Sequence, residues 1–92
     1  MKIVKGPDNQ PEERIRQMIQ TYEKDLLRLC RVYVKDAATA EDAVQETFVK
    51  AYRSLNRFRG ESCEKTWLIR IAINVCRDIQ RTAWFKNLGR MV

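Results

Sequence analysis

Long apolar repeats at helical spacing constrain the fold of this chain more than any other feature. Three stretches repeat apolar side chains every three or four residues, which is the period of one face of an α-helix. Residues that interrupt helices are scarce, because the 92 residues include three glycines and two prolines. A β fold with many turns would need more of both. The pattern therefore predicts an all-α fold, a compact bundle of three to four helices.

The first helix is expected from about Glu12 to Lys35. Ahead of it, residues 1–11 are polar and are interpreted as a flexible lead-in, and Pro11 suits the first turn of a helix. The apolar residues of this helix follow the three-and-four spacing and predict its core face. They are Ile15, Met18, Ile19, Tyr22, Leu26, Leu29, Cys30 and Tyr33.

The second helix is expected to begin near Thr39, whose hydroxyl can cap a helix, and to end near Leu55. Glu41 and Asp42 would then lie in its first turn, where the helix macrodipole favours negative charge. Two faces are predicted for this helix. The apolar stripe contains Val44, Phe48, Ala51, Tyr52 and Leu55, and the residues off that stripe are Glu41, Asp42, Gln45, Glu46 and Val49.

The third helix is expected from about Cys63 to Thr82, with its end left open as far as Gly89. A loop from about Asn56 to Lys65 precedes it, and Ser62 in that loop can serve as the N-cap. This helix is also predicted to have two faces. The apolar side contains Trp67, Leu68, Ile71, Ala72, Val75, Cys76 and Ile79, and a polar side contains Arg70, Asn74, Arg77 and Arg81.

The residue types present argue against an enzyme. The chain has no histidine, so it lacks the commonest general base and both the Ser–His and Cys–His nucleophile pairs. Cys30, Cys63 and Cys76 lie far apart in sequence, and without histidine they make a poor metal site. They are interpreted as buried or idle thiols. We therefore expect no catalytic residue, no metal and no cofactor.

The hydropathy pattern bears on the compartment. No stretch approaches the roughly 20 apolar residues that cross a bilayer. Residues 1–10 also lack the apolar core of a signal peptide. We therefore expect a cytoplasmic protein without membrane insertion.

The polar side of the third helix has two interpretations. Its members Arg70, Asn74, Arg77 and Arg81 are four, three and four residues apart, so they share one face. The formal net charge of +6 favours a polyanionic partner; the arginines could neutralise phosphates, and the asparagine amide could bond a base edge. A solvated helix face with Asp78 as counter-charge explains the same spacing. The residues alone leave both interpretations open.

Two further features are open in the same way. The loop Phe58–Ser62 contains glycine and serine and could hold a single-stranded base, or it could be an ordinary connection between helices. Trp67, one turn into the third helix, is expected in the core. Asp42 and Glu46 lie one turn apart on the second helix. They could form a protein contact surface, or they could simply supply the polar side that a soluble helix needs.

Three blocks of sequence carry a family resemblance. Asp42–Leu55, Phe58–Gly60 and Thr66–Asn74 closely resemble conserved region two of extracytoplasmic-function sigma factors. The resemblance covers roughly residues 22–81. Several blocks occur in the family's order with the family's gaps, which makes the resemblance strong where any single block would be weak.

The resemblance implies a domain that binds core RNA polymerase, at the clamp helices of the beta-prime subunit, and opens promoter DNA at the minus-ten element. The loop matches the segment that receives a flipped base of the non-template strand, and Asn74 matches an asparagine that helps read this element. The implied polymerase-binding residues are Glu41, Asp42, Gln45, Glu46 and Val49. The implied DNA-binding residues are Phe58, Arg59, Gly60, Glu61, Ser62, Cys63, Lys65, Arg70, Asn74, Arg77 and Arg81.

The resemblance also implies an anti-sigma factor as a partner. Residues 12–85 are expected to form the region 2 domain and residues 86–92 to begin an interdomain linker. No second helix-turn-helix domain for the minus-thirty-five element, region 4 of the family, follows in the sequence, so we expect a piece of a longer protein. Cys63-Glu64-Lys65 stands where many relatives have apolar or aromatic residues, and the resemblance does not define which base this loop prefers.

Two other functions are weighed beside this one. The chain could be a protein interaction module that binds polymerase or an anti-sigma factor without direct base readout. A repressor that reads duplex DNA is disfavoured, because no short turn of about four residues joins two recognition-type helices.

Overall fold

The computed structural model describes residues 11–58 and 63–91 of the chain. It contains three α-helices, which are α1 (Pro11–Tyr33), α2 (Ala37–Ser54) and α3 (Glu64–Met91). A short 3₁₀ turn, Leu55–Arg57, follows α2 directly. Each α-helix packs against the other two, and the described residues form no strand. The predicted all-α bundle of three to four helices is confirmed.

Helix α1 follows its predicted face closely. Of the eight apolar residues assigned to that face, Ile15, Met18, Leu26 and Cys30 are buried. The other four are partly buried against the same core. The helix begins at Pro11 with two glutamates in its first turn and ends at Tyr33 with Arg31 in its last turn, so the charges at both ends complement the macrodipole.

The predicted cap of α2 is wrong. Asp36 is the N-cap, with φ −101° and ψ 147°, and its carboxylate accepts a hydrogen bond from the Thr39 backbone N–H at 2.8 Å. The Thr39 hydroxyl bonds the same carboxylate, so this threonine lies inside the first turn. A carboxylate is a stronger cap than a hydroxyl because it is also attracted by the macrodipole. Since the helix begins at Ala37, Glu41 and Asp42 lie beyond its first turn.

Asp36 gives the domain a defined acid sensitivity. Hydrogen bonds from the Thr39 side chain and backbone lower the pKa of Asp36 below its ordinary value of 3.8. A carboxyl with a lower pKa in the folded state stabilises the fold above its unfolded pKa, and this stabilisation is lost as the pH falls through the folded pKa. We expect Asp36→Ala to lower the melting temperature at about neutral pH, where the Asp36 carboxylate is ionised, and to have little effect at about pH 2.

Asp36→Asn is the matched control, because asparagine keeps a capping oxygen without the titrating proton. Thermal melts followed by circular dichroism over this pH range should give Asp36→Asn a higher melting temperature than Asp36→Ala at neutral pH. As the pH falls, the melting temperature of Asp36→Asn should decrease less than that of the parent chain. A pH dependence identical to that of the parent would contradict the role given to Asp36.

The buried stripe of α2 contains more small residues than the sequence pattern predicted. Ala40, Ala43 and Ala51 are fully buried, which lets α1 and α3 approach α2 closely. Thr47 is buried on the same stripe and donates its hydroxyl to the Ala43 carbonyl at 2.7 Å. Tyr52, predicted for the stripe, is instead 43% exposed. Alanine and threonine are only weakly hydrophobic, so the sequence pattern assigned mainly large side chains to the stripe.

Helix α3 is longer than predicted, because it continues past Thr82 to Met91. Every residue from Arg81 to Gly89 is exposed, so this end of the helix leaves the bundle. A glycine inside a helix costs only about 1 kcal/mol, and Gly89 lies in open space. At the other end, the Cys63 carbonyl accepts from the Trp67 N–H at 3.1 Å. The predicted cap Ser62 lies outside the described residues.

Candidate functional site

The polar side of α3 is exposed along the part of the helix that packs in the bundle. Arg70, Asn74, Arg77 and Arg81 are all exposed on this helix, and Asp78 pairs with the last of them at 3.5 Å. Asn74 lies at a cleft of about 370 Å³ between α2 and α3, here called the Asn74 cleft. The residues that line it are Lys50, Arg53, Ser54, Ile71, Asn74 and Asp78.

Two cations of this cleft were missed by the sequence analysis. Lys50 and Arg53 come from α2, whose polar residues drew attention only through their acids. Lys50 pairs with Glu46 at 3.8 Å, whereas no carboxylate of the described residues lies within 4.0 Å of Arg53. Their spacing of three residues was a signal that both lie on one side of α2. Only the packing of α2 on α3 brings them beside Asn74.

The described ends of the loop before α3 are held by aromatic contacts. The rings of Phe58 and Trp67 stack with centroids 4.7 Å apart and planes inclined at 22°. The Arg14 guanidinium lies 5.7 Å from the Phe58 centroid and pairs with Glu64 at 3.5 Å. Trp67 is half-buried by this arrangement, in keeping with the core position predicted for it. Phe58 therefore anchors the loop to α1 and α3.

Of the remaining residues assigned to the loop, the structure describes Cys63 and Lys65. Cys63 is exposed, and its hydrogen bonds with Thr66 lower the pKa of the thiol below 9.0. Lys65 pairs with Asp25 of α1 at 3.2 Å, so part of its charge is already balanced. The other loop residues predicted to bind DNA lie outside the described residues; they are Arg59, Gly60, Glu61 and Ser62.

The acidic face of α2 consists of Glu41, Asp42, Gln45, Glu46 and Val49. All five are exposed, and Val49 presents an apolar side chain that is 42% accessible. Two of them, Glu41 and Gln45, also line a cleft of about 410 Å³ between α1 and α2, with Glu23, Lys24, Leu27 and Val44. A single exposed apolar residue is ordinary on a solvated surface, so the composition of this face alone does not distinguish a protein contact from a solvated helix side.

Two of the cysteines lie in the core as idle thiols. Cys30 and Cys76 are fully buried, and burial together with the neighbouring Cys76 raises the pKa of Cys30 to about 12. The thiol is therefore protonated at neutral pH and unreactive. Within the described residues, histidine, cysteine and carboxylate side chains form no group of three that could hold a metal ion.

The described helices are too polar or too short to span a membrane. The described residues form an all-helical domain with a cation-lined cleft at α3 and an acidic face on α2.

The sequence matches a known family and several known proteins. The family described as Sigma-70 region 2 matches residues 18–86. RNA polymerase sigma-H factor of Pseudomonas aeruginosa is 46% identical over 61 residues, which cover 66% of this chain and 32% of the relative. The ECF RNA polymerase sigma factor SigX of Bacillus subtilis is 37% identical over 76 residues, covering 83% of this chain and 37% of the relative.

A solved structure supports the same assignment. The NMR structure of an engineered region 2 of sigmaE in complex with GTAAAA superimposes with a TM-score of 0.62 and 26% identity, covering 100% of this chain and 98% of that one. The chain belongs to the sigma-70 region 2 family. Its relatives include ECF sigma factors, so it is a region 2 domain of the extracytoplasmic-function type. These relatives are transcription factors and not enzymes.

The chain spans about a third of the length of the relatives that it matches. The functions of those whole proteins therefore come to this chain only as proposals.

Proposed function

We propose that this domain binds core RNA polymerase and helps to open promoter DNA by holding an unpaired base of the non-template strand at the minus-ten element. The observation that supports this most directly is that Asn74 is exposed in a cleft that also contains two cationic side chains, Lys50 and Arg53. An asparagine amide both donates and accepts, so it can bond the edge of a base once that base has left the helix.

Base capture costs free energy that contacts of this domain must offset. Extracting a base from a stacked duplex costs a few kcal/mol. Aromatic stacking returns about 1–3 kcal/mol per base, and each neutralised phosphate releases counterions. Arg70, Arg77 and Arg81 lie on the same helix as Asn74, where they can contact phosphates on either side of a captured base. The loop between Phe58 and Lys65 is the proposed receptor of the base.

The acidic face of α2 is the proposed contact with polymerase, at the clamp helices of the beta-prime subunit. Charged residues that surround an apolar one suit an interface with a complementary, basic surface. An anti-sigma factor is a second proposed partner, because covering this face would keep the domain from polymerase. The proposed compartment is the cytoplasm, where transcription takes place. Residues 12–85 are the proposed binding domain, and residues 86–92 the proposed start of a linker.

The test is a comparison of single-stranded and duplex DNA. We expect the domain to prefer the single strand GTAAAA, or a variant of it, over the matching duplex. Asn74→Ala should weaken single-strand binding by about 1–3 kcal/mol, the cost of losing one well-placed base contact. Fluorescence anisotropy at low ionic strength measures both affinities, since phosphate-dominated binding weakens steeply with salt.

Asn87→Ala is the matched control, because Asn87 is exposed on the same helix but lies outside both the Asn74 cleft and the loop. It should leave binding unchanged. Equal affinity for the single strand and the duplex, or equal effects of the two asparagine substitutions, would contradict base capture. Retained polymerase binding together with that result would favour an interaction module without base readout.

A further inference from the structure

A second cleft lies on the other side of Arg53, and Phe58 is the one residue of its lining that the resemblance assigned to DNA. It is formed by the start of α1, the end of α2 and the 3₁₀ turn, and its volume of about 560 Å³ falls within the range of small-ligand sites. We call it the Tyr52 cleft. Its lining residues are Pro11, Arg14, Tyr52, Arg53, Leu55, Asn56 and Phe58.

The side chains of this cleft have the chemistry that a nucleotide needs. Tyr52 offers an aromatic ring that is 43% exposed, and its hydroxyl donates to Glu12 at 3.1 Å, which fixes the ring's position. Asn56 is exposed and can both donate to and accept from a base edge. Phe58 is already stacked on Trp67, which leaves Tyr52 as the more available aromatic surface.

The charges around the cleft differ in how far they are balanced. Arg14 pairs with Glu64, so it contributes little net charge. Glu12 lies at the Tyr52 hydroxyl and is the acid nearest to that ring. The Arg53 guanidinium has no carboxylate within 4.0 Å among the described residues, and this cation is therefore available to a phosphate.

Arg53 connects this cleft with the Asn74 cleft. It is a lining residue of both clefts. Successive nucleotides of a single strand are joined by one phosphate. A cation between two adjacent base sites is thus positioned to hold the phosphate that links their occupants.

We propose that the Tyr52 cleft is an additional nucleotide site for single-stranded DNA. A base stacks on the Tyr52 ring, the Asn56 amide faces the edge of that base, and Arg53 binds the phosphate between this nucleotide and the one at Asn74. The proposal rests on the proposed function, because it extends the path of the same strand. It assigns to α2 a direct role in DNA binding.

The experiment compares Tyr52→Ala with Tyr52→Phe in the 92-residue chain. The probe is a labelled ten-nucleotide single strand with GTAAAA at its centre. Tyr52→Ala should weaken binding about 5- to 150-fold, the range expected for the loss of one stacked base. Tyr52→Phe keeps the ring and loses only the bond to Glu12, so its affinity should stay within about twofold of the parent, because stacking does not need the hydroxyl.

Abasic substitutions along the probe locate the site. At one position, removal of the base should weaken binding to the parent and to Tyr52→Phe, but should have no further effect on Tyr52→Ala. The same removal should still weaken binding to Asn74→Ala. This pattern is a double-mutant cycle, which isolates the contact between one base and one side chain.

Arg53→Gln provides an independent measurement if Tyr52→Ala lowers the helical content. It should reduce the slope of log affinity against log salt by about 0.7, the value for one phosphate contact of a single strand. Arg57→Gln, an exposed arginine that lines neither cleft, is its matched control and should leave the slope unchanged.

Equal affinities of Tyr52→Ala and Tyr52→Phe in folded protein would overturn the proposal, and so would equal slopes for the two arginine variants. Either result, combined with a retained effect of Asn74→Ala, would leave the proposed function standing. If the parent chain binds the single strand and the duplex with equal affinity, the proposed function itself is overturned.

Discussion

Leu68→Ala is expected to lower the free energy of unfolding by about 2–5 kcal/mol, because it leaves a cavity where three helices meet. Leu68 is fully buried on α3 and is among the largest side chains of the core with no exposed surface. For a domain of this size, each kcal/mol shifts the melting temperature by roughly 4–8 °C. Denaturant unfolding and thermal melting followed by circular dichroism measure the loss.

Val32→Ala is the matched control for this substitution. Val32 is an apolar residue on α1 that is 81% exposed, so shortening its side chain opens no cavity. Its effect should stay within about 0.5 kcal/mol, as for most surface substitutions. Comparable losses for the two variants would show that the core does not close around Leu68.

Reversing the charge of Asp42 and Glu46 together should weaken binding to core polymerase by about a hundredfold or more. The two residues are exposed one turn apart on the acidic face of α2. Close charge pairs at protein interfaces couple with about 1.5–7 kcal/mol, and a lysine facing a basic partner adds repulsion to the lost attraction. Pull-down or surface plasmon resonance with purified core polymerase measures the change, with Asp42→Lys and Glu46→Lys in one chain.

The control for this pair carries the same change of charge elsewhere on the domain. Glu13→Lys with Asp78→Lys places two lysines on α1 and α3, away from the acidic face. It should retain polymerase binding. The variant with Asp42→Lys and Glu46→Lys should retain binding to single-stranded DNA; the same is not expected of the control, because Asp78 lines the Asn74 cleft and pairs with Arg81. If the two double variants lose polymerase equally, net charge and not the acidic face governs the interaction.

The two proposed surfaces lie on different sides of α2, and this helix therefore links them. Its acidic face begins at Glu41, whereas its other end supplies Tyr52 and Arg53 to the clefts. The buried stripe of Ala43 and its small neighbours lies between them. A domain of this kind can present DNA at one surface while it is held at another, because neither surface contains residues of the other.

Periodicity alone was sufficient to predict which residues of α1 and α3 face the core. Met18 and Leu26 on α1, and Leu68 and Val75 on α3, are buried as their spacing predicted. The exposure of Asn74 followed from the same rule, since it lies off the apolar face of its helix. These features are local, because residues three or four apart on a helix share a face whatever lies beside it.

The three-and-four spacing could not predict where α3 ends or where α2 begins. The sequence has no breaker between Thr82 and Gly89, and the length of the exposed helix depends on propensity summed over several weak contributions. Asp36 and Thr39 were both acceptable caps by residue type. In the structure Asp36 has the extended backbone of an N-cap and Thr39 lies one turn inside the helix, and spacing along one helix does not distinguish these two arrangements.

The amino-acid sequence by itself determined the class of fold, the core face of each helix and the family of the domain. Only the tertiary structure decided that Lys50 and Arg53 lie beside Asn74, and that Tyr52 opens onto a cleft instead of entering the core. The physical reason is that a helical repeat defines neighbours along one helix. Neighbours across two helices depend on how closely the helices approach, and here buried alanines at Ala40, Ala43 and Ala72 set that approach.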